Sequence, residues 1–170
     1  LLVLSGDCPL ITPDTIRELA DMRARSNAAV VVLTMELDDP FGYGRIIRDG
    51  EGRVERIVEQ KDANAAEVAV TECNSGFYCF DSQALFEALE QVGSDNAQGE
   101  FYLTDVLEIC RGAGRDVLAL PASDVSECLG VNSRVQLAAA TCALQSRINK
   151  EHMAAGVTMW DPTSVWIGPD

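Results

Sequence analysis

The chain has 170 residues, 47% hydrophobic and 24% charged, the composition of a soluble globular protein of about one domain. No apolar stretch approaches the roughly 20 residues needed to cross a bilayer, so no membrane partner is expected. Asp and Glu number 27 against 13 Lys and Arg, a formal charge of -14 with no basic cluster, which argues against nucleic acid and leaves any phosphate ligand in need of a cation from elsewhere.

Leu1-Leu2-Val3-Leu4-Ser5 is an uninterrupted apolar run, the pattern of a strand buried on both faces of a parallel sheet, and Gly6-Asp7-Cys8-Pro9 ends it. Ligands of open α/β sheets bind beyond the carboxyl ends of the strands, which places Asp7 at the edge of a site. There it reads either as a metal ligand or as a turn residue bonding its own backbone. The chain lacks an initiator Met and opens in what reads as mid-sheet, so a truncated N-terminus is expected. Thr12-Pro13-Asp14 is a helix start, with a Thr cap and Pro at the first helical position, and the helix should run to about Ser26 with Ile16, Leu19, Ala20 and Met22 inward. Ala28 to Met35 then gives a second buried strand, completing a βαβ unit and indicating a parallel sheet.

Leu37 to Arg45 is a turn-rich loop whose Gly42-Tyr43-Gly44 lacks the third glycine of a dinucleotide fingerprint. Its glycines either let a backbone amide approach a ligand or allow positive φ. Residues 45–48 and 53–59 flank Asp49-Gly50-Glu51-Gly52 as a β-hairpin, and its exit, Glu59-Gln60-Lys61-Asp62, reads as a solvated turn or as a binding edge. A short helix is expected over 62–67 and a strand over Cys73 to Phe80. Asn74 within that strand must find hydrogen-bond partners if buried, which marks it as a site candidate. Helices follow over 82–91, with Leu85, Phe86 and Leu89 inward, and over 106–111, closed by Gly112 and Gly114. A strand is expected over 116–121. Asn132 reads as the cap of an Ala-rich helix reaching His152 or just beyond, and 157–161 and 165–168 read as extended segments.

The six cysteines lie in or beside apolar segments and form no CxxC pair, so reduced buried thiols are expected. His152, the single histidine, has no zinc-site or nucleophile partner in the sequence and reads as a surface residue.

The ordered motifs G-D-C-P at 6–9, D-D-P-F-G-Y-G-R-I at 38–46, I-V-E-Q-K-D-A at 57–63, N-S-G at 74–76, A-Q-G-E-F-Y-L-T-D at 97–105 and G-V-N-S-R at 130–134 cover nearly the whole chain. Together they resemble the uridylyltransferase domain of bacterial N-acetylglucosamine-1-phosphate uridyltransferases. The resemblance implies an α/β, Rossmann-like nucleotidyltransferase fold of the glycosyltransferase-A type with a mixed, mostly parallel sheet. It implies transfer of a uridylyl group from UTP to N-acetylglucosamine 1-phosphate in the cytoplasm, giving UDP-N-acetylglucosamine and pyrophosphate. It implies Mg²⁺ as cofactor, held by Asp7 and Asn132, and substrate contacts at Ser5, Gly6, Asp7, Gly44, Glu59, Asn74, Tyr102, Thr104 and Asn132. No catalytic nucleophile is expected, because a phosphate oxygen of the sugar phosphate attacks the α-phosphorus of UTP directly. A related sugar-1-phosphate nucleotidyltransferase and a non-catalytic sugar-nucleotide-binding module are the alternatives.

Two departures from the family pattern bear on these expectations. Members of the family begin with a glycine-rich L-x-x-G-x-G-T-R-M segment and a Lys that cradle UTP, and the chain has neither. Ser5 stands where many members have Tyr. Residues 1–155 are therefore expected to be a partial uridylyltransferase domain, inactive alone. Residues 156–170 resemble a linker and the first turn of the left-handed β-helix that carries acetyltransferase activity, with a homotrimer implied for the full-length protein. One such turn cannot bury its own face, so acetyltransferase activity is not assigned to this stretch.

Overall fold

In the computed structural model, residues 1–169 are described. The elements are β1 (Leu2–Val3), α1 (Pro13–Ser26), β2 (Val30–Glu36), β3 (Arg45–Arg48), β4 (Val54–Val58), α2 (Ala65–Val68), β5 (Glu72–Phe80), α3 (Ser82–Leu89), α4 (Asp105–Gly112), β6 (Val117–Pro121) and α5 (Arg134–Ala154), with 3-10 turns at Val125–Cys128 and Pro162–Ser164. The local signals for α1 hold. Thr12 Oγ1 accepts the Thr15 N–H at 3.3 Å, and Asn27 ends the helix at φ 56 with its N–H on the Arg23 carbonyl. No helix among the described residues is long and apolar enough to cross a membrane.

The strands form one sheet in the order β4-β3-β5-β2-β6, with β1 also on β5. The sheet is mixed, as expected, but it is not mostly parallel: β2 and β6 pair in parallel, and every other pairing among the described residues is antiparallel. The reason lies in the connections. Only a crossover of a dozen or more residues joins parallel neighbours, whereas β3 reaches β4 through a short turn. The strand–helix–strand unit is also present, yet β5 lies between β1 and β2, pairing Tyr78 with Val3 on one edge and with Val32 on the other.

β2 explains why an uninterrupted apolar run was needed. Val30 and Val32 face a core formed with α3 and α4, built around Phe80, Leu85, Val106 and Leu107, while Val31, Leu33 and Met35 face a second core with Leu19 of α1, Phe77 and Cys128. Each fully buried side chain of this kind stabilises by about 1.5–3 kcal/mol before entropy is counted. β1 departs from its expected burial. Only Leu2 and Val3 pair, along one edge, and no described residue covers the rest, so Leu1, Leu2 and Leu4 are exposed. In α3 the buried face is Ala84, Leu85 and Ala88, and Phe86 and Leu89 point outward because two small residues let the helix lie close to the sheet. Ser133, not Asn132, caps α5, its Oγ accepting the Gln136 N–H at 3.2 Å while the Asn132 N–H is taken by Gln136 Oε1 at 2.9 Å.

All six cysteines are free, five buried and Cys142 exposed on α5, where no element covers it. His152 is exposed. The segments 157–161 and 165–168 join no strand, and the expected first turn of a β-helix is not shown; its last residue, Asp170, lies outside the described residues. Instead, the buried amides Gln145 and Asn149 of α5 hold this tail, with Asn149 Nδ2 donating to the Pro162 carbonyl at 2.7 Å and to that of Val165 at 2.9 Å.

The pairing of β2 with β5 contains a bulge. Val32 pairs with Tyr78 and Thr34 with Asn74, so Leu33 alone stands opposite Ser75, Gly76 and Phe77. Ser75 repairs the interrupted ladder, donating its hydroxyl to the Leu33 carbonyl at 2.6 Å and accepting the Phe77 N–H at 3.2 Å. Gly76 sits at φ +81, and a Cβ there would lie on Ser5 Oγ. Gly76→Ala should therefore destabilise the fold by about 1–3 kcal/mol, measured by denaturant unfolding.

Candidate active site

The end of β1 and the loop before α5 meet at a glycine. The Val131 N–H donates to the Asp7 carbonyl at 2.8 Å. A Cβ on Gly130 would stand 2.8 Å from Asp7 Oδ2 and 3.5 Å from Asn132 Nδ2, so both side chains border one position that excludes a larger residue. Buried Glu127 anchors this loop from behind. Its Oε2 accepts the N–H and hydroxyl of Thr12, both at 3.1 Å, and the Thr15 hydroxyl at 2.6 Å, tying the 3-10 turn to the start of α1. Cys8 donates to the Cys128 carbonyl at 3.4 Å, and burial, reinforced by the Asp7 charge, pushes its thiol up to about 11. Such a group is not a nucleophile at neutral pH.

A second set lies around the ends of β3, β4 and β5. The Asn74 N–H donates to the Gly44 carbonyl at 2.9 Å. Glu59 follows β4, and Thr104 donates its hydroxyl to Glu59 Oε1 at 3.1 Å. Thr104 holds the N-cap position of α4 yet makes no cap bond, forgoing a contribution of about 1 kcal/mol in order to face Glu59. A Cβ on Gly44 would press on Ile57 Cγ2 at 3.0 Å and on both Glu59 oxygens at 3.5 Å. Burial raises the Glu59 carboxyl above its usual value, the Thr104 bond opposes this, and the charges of Asp62 and Asp105 add to it. The exit Glu59-Gln60-Lys61-Asp62 thus divides: Glu59 and Gln60 turn inward, while Lys61 and Asp62 are exposed.

Asn74 Oδ1 accepts the Gly76 N–H at 3.0 Å and the Tyr78 hydroxyl at 2.9 Å. Ser5 joins the two sets, donating its hydroxyl to the Gly76 carbonyl at 3.2 Å. Tyr102 stands at the rim, donating to Asp62 Oδ2 at 3.4 Å and accepting from Gln98 at 2.8 Å. Gly6 has open space about its Cα.

The sequence pattern did not single out Arg45, Gln60, Glu127 or Tyr78. Arg45 is 1% exposed, and its guanidinium donates to the Tyr43 carbonyl and, at 2.7 Å, to Gln60 Oε1, which also accepts the Gly42 N–H at 3.1 Å. This pins the loop of Gly44 to β4. A charged residue opening a strand whose next residues are apolar was the available signal. Eight arginines are paired with carboxylates elsewhere, and among the described residues none pairs with Asp7, Glu59, Asp62 or Asp105. A cavity of about 420 Å³ around Arg23, Asp81 and Arg115 lies at the opposite end of the sheet, and both arginines there are already paired.

A family model described as Nucleotidyl transferase matches residues 1–160. The chain belongs to that family. It is 56% identical over 169 residues to the bifunctional protein GlmU of Lactobacillus helveticus and 50% identical over 169 residues to that of Exiguobacterium sibiricum, in each case over 99% of this chain. It spans 37% and 38% of the length of those relatives. Among solved structures, a putative glucose-1-phosphate thymidylyltransferase from Bacillus anthracis in complex with sucrose superposes with a TM-score of 0.53 at 18% identity, over 87% of this chain and 52% of that one. That likeness supports the Rossmann-like nucleotidyltransferase α/β fold.

Because the folded value of Glu59 is raised, the folded state holds its proton to higher pH than the unfolded chain. Stability from this group is full below the ordinary carboxyl value of 4.5 and is lost as pH rises through the folded one. Glu59→Gln should flatten that part of the profile and raise the melting temperature at neutral pH, as thermal unfolding from acidic to neutral pH would register.

Proposed function

We propose that this chain supplies the metal and sugar side of a nucleotidyltransferase site that transfers a uridylyl group from UTP to N-acetylglucosamine 1-phosphate. The observation that carries the reading is the meeting of Asp7 and Asn132 at Gly130, beside the Glu59–Thr104 and Asn74 set. The names of the relatives, bifunctional proteins GlmU, support it.

The donor set suits Mg²⁺, a hard cation that takes one or two protein oxygens and fills the remaining positions with phosphates and water. Asp7 and, with its side-chain amide turned to present Oδ1 in place of Nδ2, Asn132 would hold it, and when bound it supplies the positive charge that this acidic surface does not offer a phosphate. Glu59, with Oε1 already engaged by Thr104, keeps Oε2 to accept a sugar hydroxyl. Asn74, with Oδ1 occupied, donates from its NH₂. A set rich in carboxylates, Glu59 with Asp62 and Asp105 nearby, suits hydroxyl donors and repels phosphate, which directs the phosphate toward Asp7. A phosphate oxygen of the sugar phosphate forms the new P–O bond at the α-phosphorus as the bond to pyrophosphate breaks, and the chain's residues hold and align the reactants.

Asp7→Ala in the complete protein should lower pyrophosphate release from UTP and N-acetylglucosamine 1-phosphate by about a hundredfold or more. Undiminished turnover would reject the assignment. Preference for glucose 1-phosphate in a panel of sugar phosphates would reject the acetylated sugar.

A further inference from the structure

We propose that Tyr78, which lies outside every motif that carries the family likeness, is a positioning residue that fixes the Asn74 side chain with its NH₂ toward the ligand. The inference rests on the reading of Asn74 as a sugar contact. The two donors on Asn74 decide its orientation. The Gly76 backbone N–H can only donate, so the side-chain atom it meets at 3.0 Å is the carbonyl oxygen Oδ1. Tyr78 fills the second acceptor position of that oxygen at 2.9 Å. Asn74 Nδ2 then donates to no described residue and is the group left for a ligand.

Tyr78 itself has little freedom. It is 3% exposed, and its ring stacks on Phe80 with centroids 5.4 Å apart, inside the core shared by the sheet, α3 and α4. The bulge supplies the geometry: Asn74, Gly76 and Tyr78 converge on one oxygen because Ser75, Gly76 and Phe77 stand opposite Leu33 alone. Without the phenol, the Gly76 N–H alone holds Oδ1, and the amide is free to swing about its last torsion. With the amide held by both donors, the site offers its ligand an acceptor at Glu59 and a donor at Asn74. The ligand group at Asn74 must therefore be an acceptor, a hydroxyl or carbonyl oxygen, and an ammonium group there is refused.

The test is steady-state kinetics of the complete protein with Tyr78→Phe and Asn74→Asp. Tyr78→Phe keeps the stacked ring and removes one hydrogen bond, so the KM for the sugar phosphate should rise about fivefold with kcat and the KM for UTP within about twofold. A purely structural role would lower the melting temperature and leave the two KM values in their original ratio. Asn74→Asp keeps an acceptor for both Gly76 and Tyr78, so it folds, and it loses the donor, raising the sugar-phosphate KM about tenfold or more. If Asn74→Asp raises that KM and Tyr78→Phe does not, the role of Tyr78 is overturned while the sugar assignment stands. If neither variant changes it, both are overturned.

Discussion

Ser75 donates its hydroxyl to the Leu33 carbonyl and accepts the Phe77 N–H, and these two hydrogen bonds let β5 serve both as the centre of the sheet and as a wall of the site. A strand buried on both faces has no place for an asparagine without disruption. The bulge takes up two extra residues, an even number, so the alternation of side chains survives it, and Cys73 and Phe77 still face the same core. The interruption is thereby confined to Ser75, Gly76 and Phe77. Ser5 closes it from the β1 side, which couples the Asp7 turn to the Asn74 set through one backbone carbonyl.

The division of charge follows from the same arrangement. Arginines along the hairpin and helices are held by carboxylates such as Glu72, Glu67 and Asp49, and the carboxylates at the site have no such partners among the described residues. An acidic site of this kind favours ligands that donate hydrogen bonds, and it accepts an anion only together with a cation. The excess of acidic residues is thus compatible with a phosphate-bearing substrate.

Features set by residues close in sequence were legible. Thr12, Pro13 and Asn27 bound α1 locally, and the Val-rich run of β2 announces burial on both faces. The polar Asn74 within an apolar strand marks a site candidate, whereas the bulge beside it has no local signal. Features set by distant residues were hidden. Glu59 reads as part of a solvated turn because its burial depends on Thr104 at the start of α4. The insertion of β5 between β1 and β2, the outward Phe86 and the capping of α5 by Ser133 depend on packing and register that no local pattern encodes. Asp7 and Asn74 stand out in the local pattern and Asn132 and Glu59 take their site roles from motif order, whereas the parts played by Tyr78 and Arg45 emerge only from the hydrogen bonds they make.

The two apolar layers on either side of β2 and β5 also set how the molecule breathes. Amides in these strands are covered from both sides, the setting in which exchange follows global unfolding, whereas the loop over 93–102, with exposed Phe101 and Glu100, lies outside both apolar layers. Asn74 is thus mounted on backbone between the two layers, and Tyr102 on backbone outside them. Any group that touches both meets a wall held by packing on one side and a loop held by hydrogen bonds on the other, so the entropy cost of further ordering falls on the loop.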